Sequence, residues 1–211
     1  MIARLEQLLA RVPHLAWRAI GVAILSPVLW NRLSIRENYS NQLLFWLEFA
    51  IPALILISYL IRPPARSTAR GAVGILLPPV AAVLPLSFIT FDVTWFGLAH
   101  QEALLALLVV PTALMVWGYL SLNRSFGLLA EARELKTGGP YRWVRHPVYA
   151  AQMLCGLVVM LWRFAPANLG LYLLFVTAQV LRAGAEEAAL TAAFPEYQEY
   201  ARRTWRFLPG V

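Results

Sequence analysis

The chain has 211 residues, a length that fits one domain or two small ones. Apolar residues make up 60% of it and charged residues 14%, whereas soluble globular domains have about 45–50% and about 25%. Its long uncharged runs are typical of helices that cross a bilayer. These proportions exclude a soluble enzyme, a disordered tail and a secreted disulfide scaffold.

Six apolar segments predict membrane helices, since a crossing helix needs about 20 mostly apolar residues. In chain order they are residues 15–30, 43–61, 71–91, 103–123, 148–162 and 164–181. The last two are short and indicate a tight helical hairpin with a break between Arg163 and Gly170. The predicted fold is all-α, a polytopic integral membrane protein with about six transmembrane helices and a C-terminal cytoplasmic helical cap. Glu48 is the one charge in the second segment, and we expect it to reach toward the headgroups.

The basic residues of the short loops predict the orientation. Loop 62–70 has three arginines and no acid, loop 124–147 has five basic residues against two glutamates, and loop 92–102 has two acids and no Arg or Lys. The positive-inside rule therefore places loops 62–70 and 124–147 and both termini in the cytoplasm. The net charge of +7 fits anionic headgroups. It does not favour nucleic acid, because the arginines form no single basic face.

Polar residues concentrate in two stretches near the C-terminus. The first, residues 133–149, reads RELKTGGPYRWVRHPVY. Its TGGP is a turn signal, and the His146-Pro147 pair introduces the next helix, because proline suits a first helical turn. Exposed backbone amides of this turn, with Arg142 and Arg145, would suit an anionic group.

The second polar stretch, residues 182–209, continues the last span out of the membrane until Pro195 ends that helix. Arg182 and Glu186 are four residues apart and share one helical face, whereas Glu187 is predicted to point elsewhere. A short amphipathic piece follows. Its aromatic residues are predicted interfacial anchors: Tyr197, Tyr200 and Trp205.

Together these motifs resemble the isoprenylcysteine carboxyl methyltransferase family, a broad group that also includes membrane phospholipid N-methyltransferases. The resemblance rests on GPYRWVRHPVYAAQ, then RAGAEEAAL, then FPEYQEYARRTWRFLP, within residues 115–209. It implies a polytopic membrane enzyme that binds S-adenosylmethionine in a cytoplasmic pocket beneath the C-terminal region. Lipophilic acceptors would enter from the bilayer. We therefore interpret residues 1–114 as transmembrane helices of unassigned role and residues 115–211 as the methyltransferase core.

The resemblance also implies roles for individual residues. The family's cofactor contacts fall on Arg133, Glu134, Leu135, Lys136, Tyr141, His146, Pro147, Tyr149 and Glu186. The arginine that the family uses for the acceptor's carboxylate falls on Arg182, which makes Arg182 and Glu186 the predicted catalytic residues. The family's prenylcysteine enzymes usually have a histidine where this chain has Arg133. The implied partners are membrane lipids and a lipophilic or prenylated substrate, without nucleic acid or metal.

The chemistry leaves more than one acceptor open. Methyl transfer from a sulfonium is an in-line displacement in which charges cancel, so alignment and water exclusion help most. A carboxylate, the acceptor that the resemblance favours, needs only a positioned cation such as Arg182. A phospholipid amine or small thiol would have to lose a proton, for which His146 or Glu186 are candidates.

Two other classes of protein stay open. Sterol reductases have a similar C-terminal region and use NADPH, although this short chain has no dinucleotide fingerprint. A non-catalytic membrane binding protein would have no need for a buried Arg182–Glu186 pair. That pair is also compatible with simple helix stabilisation, but Arg before Glu is the poorer order for it.

Overall fold

The computed structural model describes residues 14–34, 36–38, 42–61, 67–68, 99–122, 131–132 and 134–210. This part of the chain is mostly helical. Its α-helices are α1 His14–Ser34, α2 Gln42–Ile61, α3 Gln101–Leu122, α4 Pro147–Trp162, α5 Pro166–Ala193 and α6 Tyr197–Arg203. Two 3-10 turns cover Arg36–Asn38 and Gly139–Arg142. The two-residue strands β1 Ser67–Thr68 and β2 Glu131–Ala132 pair antiparallel.

Five of the predicted spans coincide with α1 to α5, and the span 71–91 lies outside the described residues. Helix α5 runs without interruption from the hairpin to Ala193, just before Pro195, as the sequence predicts. The hairpin break is shorter than predicted: α4 ends at Trp162 and α5 already begins at Pro166. Proline at the first helical position explains this early start.

Within the described residues, α3 is the one helix that is both long and apolar enough to cross a membrane. The apolar part of α2, Phe45–Ile57, and all of α4 are shorter. Val110 and Leu107 on α3 are 74% and 58% exposed, an arrangement that suits contact with lipid. The polytopic architecture stays a prediction.

Helix α3 packs against both α2 and α4, and α4 packs against α5. Met115 and Tyr119 of α3 form a core cluster with Val148 and Ala151 of α4. A Cβ at Gly118 would lie 2.6 Å from Val148 Cγ2, so the missing side chain allows α3 and α4 to approach closely. These contacts place the start of α4, which carries the RHP motif, beside the second half of α3.

An ion pair joins α1 and α2. Arg32 Nη1 lies 2.9 Å from Glu48 Oε2. Glu48 therefore has a cationic partner on the neighbouring helix, and its reach toward the headgroups stays a prediction. Charged residues within apolar helices are commonly paired in this way.

The turn before α4 requires glycine at residue 139. Gly139 has φ +59°, and a Cβ there would collide with Ser121 Oγ, which donates to the Trp117 carbonyl. We expect Gly139→Ala to lower the free energy of unfolding by about 1–2 kcal/mol from the backbone conformation, and the collision adds to this loss. Gly138→Ala is the matched control, because φ is −94° and nothing lies within 4 Å. Thermal unfolding in detergent measures both, and equal melting temperatures would contradict the prediction.

Candidate active site

The RHP turn and the motif of α5 meet in space. The Tyr149 hydroxyl donates to Glu186 Oε2 at 2.7 Å, and the Arg182 guanidinium carbon lies 4.9 Å from the centre of the Tyr149 ring. The His146 ring stacks on the Tyr149 ring with centroids 5.3 Å apart. The structure thus brings together four of the residues that the sequence singles out.

Local folding explains this meeting. His146 is the N-cap of α4 and Pro147 its first residue, so His146 and Tyr149 are three residues apart at the helix start and project to the same side. Arg182 and Glu186 are one turn apart on α5. Because a three-residue connection makes α4 and α5 antiparallel neighbours, the start of α4 lies against the C-terminal half of α5.

Burial differs across the cluster. Arg182 is 6% exposed and His146 5%, whereas the Glu186 side chain is 28% exposed. His146 Nδ1 lies 3.9 Å from Glu186 Oε2. The arrangement is a largely dry corner with a buried cation at its back and an accessible carboxylate at its opening. Electrostatic interactions in such a corner are stronger than in water.

Tyr141 also belongs to this neighbourhood. It is buried, and burial raises the pKa of its hydroxyl well above the usual value, with the negative charge of Glu186 adding to the effect. The hydroxyl therefore stays protonated near neutral pH. The side chain can serve as a neutral hydrogen-bond donor close to the carboxylate.

Glu187 lies in the same cluster, contrary to the prediction that it points elsewhere. Its Oε1 lies 3.0 Å from His146 Nε2, 3.3 Å from Arg206 Nε and 3.6 Å from Arg145 Nε. Burial by itself would raise the pKa of Glu187, but the hydrogen bond to His146 and the charges of His146, Arg206 and Arg145 outweigh it and hold the pKa below its usual value. Helical spacing alone did not reveal this role, because the partners come from the RHP turn and the C-terminal segment.

Backbone hydrogen bonds hold the C-terminal segment beside the RHP turn. The Arg145 and His146 amides donate to the carbonyls of Trp205 and Arg206 at 2.8 and 3.1 Å, and the Trp205 amide donates to the Trp143 carbonyl at 3.0 Å. Gly184 of α5 adds to this closeness, since a Cβ there would lie 3.3 Å from Arg206 Nη2. Arg206 thereby reaches Glu187.

For residues 143–146 these bonds correct the expectation that the turn offers free amides to an anion. The amides of residues 143–146 all donate to backbone carbonyls. Arg145 also donates to the Ala201 carbonyl at 3.3 Å and lies beside Glu187, so its role here is structural. Arg142 does not share these contacts of Arg145. Its guanidinium carbon lies 4.3 Å from the centre of the Trp143 ring.

The predicted cofactor strip before the turn lies along the last turns of α5. Arg133 lies outside the described residues. Lys136 Nζ pairs with Glu134 Oε2 at 2.6 Å, and Leu135 packs against a cluster that contains Ala189 and Phe194. The strip is therefore about one turn beyond Glu186, and its contact with a cofactor stays a prediction.

Tyr197 of the cap packs inside the protein, which corrects its expected role as an interfacial anchor, whereas Tyr200 is partly buried. Tyr197 is 3% exposed and packs with Ala189 and Phe194. The Tyr200 hydroxyl donates to the Tyr141 carbonyl at 2.7 Å. Burial raises the pKa of Tyr200 to about 12, so this hydroxyl keeps its proton. Helix α6 thus holds Tyr141 in place.

A chain of polar side chains leads from Arg182 into the apolar interior. Gln179, one turn before Arg182 and 1% exposed, donates to Gln152 Oε1 of α4. Gln152 in turn donates to the Tyr119 hydroxyl of α3 at 3.4 Å. Buried polar groups cost free energy unless they are hydrogen-bonded, and these two bonds offset part of that cost. The polar side chains also make the surroundings of Arg182 locally polar. Within the described residues no group of three or more His, Cys, Asp or Glu side chains is placed to hold a metal ion.

Comparison with known families shows which proteins this part of the chain is similar to. Residues 102–197 match the family model described as phospholipid methyltransferase, PEMT. This stretch begins in α3 and contains the RHP turn, Arg182 and Glu186. Residues 102–197 are therefore similar to a phospholipid methyltransferase domain. The family is a member of the isoprenylcysteine carboxyl methyltransferase-like group of membrane methyltransferases, as the motifs predict.

Two curated proteins are similar to the chain. "Cobalt-zinc-cadmium resistance protein CzcN" of Cupriavidus metallidurans is 42% identical over 80 residues, and "Nickel-cobalt-cadmium resistance protein NccN" of Alcaligenes xylosoxydans xylosoxydans is 31% identical over 149 residues. The matches cover 36% and 67% of this chain. They cover 36% and 66% of the relatives, less than two thirds of the length of either.

Proposed function

We propose that this protein transfers the methyl group of S-adenosylmethionine to a lipophilic acceptor at the membrane. The observation that carries the proposal is the contact of Tyr149 with both Arg182 and Glu186 inside a methyltransferase-family domain. An isoprenylcysteine-type carboxylate is the favoured acceptor. A phospholipid amine and a small lipophilic thiol are the alternatives.

The described residues fit S-adenosylmethionine. The partly exposed Glu186 carboxylate can receive the ammonium or hydroxyl groups of this donor. When bound, the donor supplies an electrophilic methyl group on a positively charged sulfur. Tyr141, held by Tyr200, would form a neutral wall on the other side of Glu186.

Arg182 is proposed to hold a carboxylate acceptor. A guanidinium can bind a carboxylate through two parallel hydrogen bonds, and burial strengthens them. The Tyr149 ring beside the guanidinium limits its orientation, since arginine stacks on aromatic faces. Exclusion of water from this corner favours a reaction in which opposite charges cancel.

His146 is proposed to accept the proton of an amine or thiol acceptor. Its Nε2 is hydrogen-bonded to Glu187 Oε1, which assigns the ring proton to Nε2 and leaves Nδ1 as the acceptor atom. Nδ1 faces Glu186, at the opening of the corner.

The proposal also includes the placement of the chain in the membrane. We propose a multi-pass protein with both termini and the active site in the cytoplasm. The support is the excess of arginine in loops 62–70 and 124–147, together with the apolar helix α3.

Labelling of membranes tests the proposed reaction. Membranes that contain the protein are incubated with methyl-labelled S-adenosylmethionine, and the lipid, protein and small-molecule fractions are counted. We expect label in a lipophilic fraction with the wild type and a large loss with Glu186→Gln, because the variant loses the charge that faces the donor. Glu196→Gln, an exposed position before α6, is the matched control. Equal labelling by wild type and Glu186→Gln would contradict the assignment.

Ligand-dependent stability separates a methyltransferase from an NADPH-dependent reductase and from a non-catalytic binding protein. S-adenosylhomocysteine should raise the melting temperature of the purified protein in detergent, and by less in Glu186→Gln, because a ligand that binds only the folded state stabilises it. NADPH should not do so. A shift with NADPH alone would favour the reductase, and no shift with either ligand would favour a non-catalytic binding protein.

The names of the two relatives support a role for this reaction in metal tolerance. Carboxylates and thiolates are metal ligands, so methylation of either would remove a ligand from the acceptor. Methylation of a phospholipid amine would not. The chemical class of the labelled acceptor therefore decides whether this link to metals holds.

A further inference from the structure

A cavity lies beside the RHP turn. It encloses about 490 Å³ between α3, the Gly139–Arg142 turn, the start of α4 and residues 205–209. We name it the tryptophan cavity. Its walls include Leu114, Trp117, Trp143, Ala150, Trp205 and Phe207, and none of the described residues that line it is charged. The volume lies in the range of about 300–1,000 Å³ that small-molecule pockets have.

Three tryptophans give this cavity the character of a membrane interface. Trp117, Trp143 and Trp205 are 44%, 42% and 45% exposed. The rings of Trp117 and Trp143 meet edge to face with centroids 5.9 Å apart. Tryptophan is enriched where hydrocarbon meets headgroups, because its ring is apolar and its N–H is polar. The cavity therefore has walls for a hydrocarbon chain and a rim suited to the headgroup region.

A cation stands at the rim. The Arg142 guanidinium lies over the Trp143 ring at 4.3 Å and is exposed. The neighbouring Arg145 and Arg206 are both paired with Glu187, but among the described residues no carboxylate pairs with Arg142. Its charge is thus available to an anion next to an apolar cavity.

We propose that the tryptophan cavity binds one acyl chain of an anionic membrane phospholipid, whose phosphate pairs with Arg142. The hydrocarbon lining accommodates the chain, and the guanidinium can bind phosphate through two hydrogen bonds. Phe207, in the cavity wall, lies 5.7 Å from the His146 ring. A bound chain therefore packs behind the active-site turn and stabilises the C-terminal segment against it. This inference goes beyond methyl transfer and requires only that the protein lies in a membrane.

Lipid binding to the purified full-length protein tests the proposal. Phosphatidylglycerol and phosphatidylcholine with identical acyl chains are titrated into detergent-solubilised protein, with native mass spectrometry and melting temperature as readouts. We expect phosphatidylglycerol to bind and stabilise the wild type more strongly than phosphatidylcholine. Arg142→Gln should reduce the affinity for phosphatidylglycerol to that for phosphatidylcholine, and Leu114→Trp, which fills the cavity, should weaken both.

Arg202→Gln is the matched control, because it removes one positive charge from the exposed face of α6. It should keep the wild-type preference for phosphatidylglycerol. Equal binding of both lipids by the wild type, or an unchanged preference in Arg142→Gln, would overturn the proposal even if Leu114→Trp fails to fold. Since no readout uses methyl transfer, failure here leaves the proposed reaction standing, and failure of the labelling experiment leaves this site standing.

Discussion

Replacing Arg182 with alanine should strongly decrease methyl transfer to a carboxylate acceptor while the cofactor still binds. Arg182 is 6% exposed and its guanidinium lies over Tyr149, so an acceptor bound there would meet a desolvated cation. Loss of one partner of a buried charge pair costs about 2–5 kcal/mol, a decrease of roughly 30- to 5,000-fold in kcat/KM. Initial rates with a prenylcysteine analogue measure this decrease.

Two further variants identify what Arg182 contributes. Arg182→Lys keeps the charge but loses the planar fork and the stacking on Tyr149, so its rate should be intermediate. Arg202→Ala removes an exposed, paired arginine of α6 and should leave the rate unchanged. Stabilisation by S-adenosylhomocysteine shows that each variant still folds and binds the donor. Unchanged carboxylate methylation by Arg182→Ala would remove the residue from the proposed mechanism.

Arg182→Ala also distinguishes the classes of acceptor. A carboxylate needs the cation of Arg182, whereas an amine or thiol needs a proton acceptor, for which His146 is placed. Arg182→Ala should therefore spare methylation of an amine acceptor. His146→Asn should instead lower amine methylation more than carboxylate methylation, when both are compared at donor concentrations that saturate the variant.

The sequence predicts the helices well because their signals are local. Apolar runs between turn signals indicate α1 to α5, and the prolines at 147 and 166 suit the first positions of α4 and α5. Four-residue spacing correctly places Arg182 and Glu186 on one face. The meeting of that face with His146 and Tyr149 follows from an antiparallel hairpin, which short connections favour.

The rest of the site depends on contacts between distant residues, which a single sequence does not reveal. The return of residues 205–206 beside the RHP turn rests on backbone hydrogen bonds that any side chain permits. Glu187 acquires its role only through that return, because Arg206 arrives with it. Tyr197 and Tyr200 look like interfacial residues by type, but α6 folds back onto Leu135 and Tyr141, which buries Tyr197 and partly buries Tyr200.

Replacing Glu187 with glutamine should weaken the attachment of this C-terminal segment to the RHP turn. Glu187 bonds to His146 and pairs with Arg206 and Arg145, and its side chain is 22% exposed. Hydrogen bonds that involve charged groups contribute about 1.5–3 kcal/mol, so we expect a loss of that size in the free energy of unfolding at neutral pH. Binding of S-adenosylhomocysteine should weaken as well, since His146 loses the partner that orients its ring.

Acidification separates this electrostatic role from simple packing. Burial opposes ionisation of Glu187, but His146, Arg206 and Arg145 outweigh it and hold its pKa below the usual 4.5. A carboxyl group whose pKa is lowered by folding contributes stability that is fully present above its unfolded-state pKa and is lost as the pH falls through its folded-state pKa. The stability difference between wild type and Glu187→Gln should therefore be large at pH 7 and should shrink progressively below about pH 4.5. Glu199→Gln, at an exposed carboxylate paired with Arg202 and Arg203, should show a smaller difference. The free energy of unfolding of both proteins is measured in detergent across this pH range. A stability loss in Glu187→Gln that stays constant with pH would mean that the shape of the side chain, and not its charge, holds the segment in place.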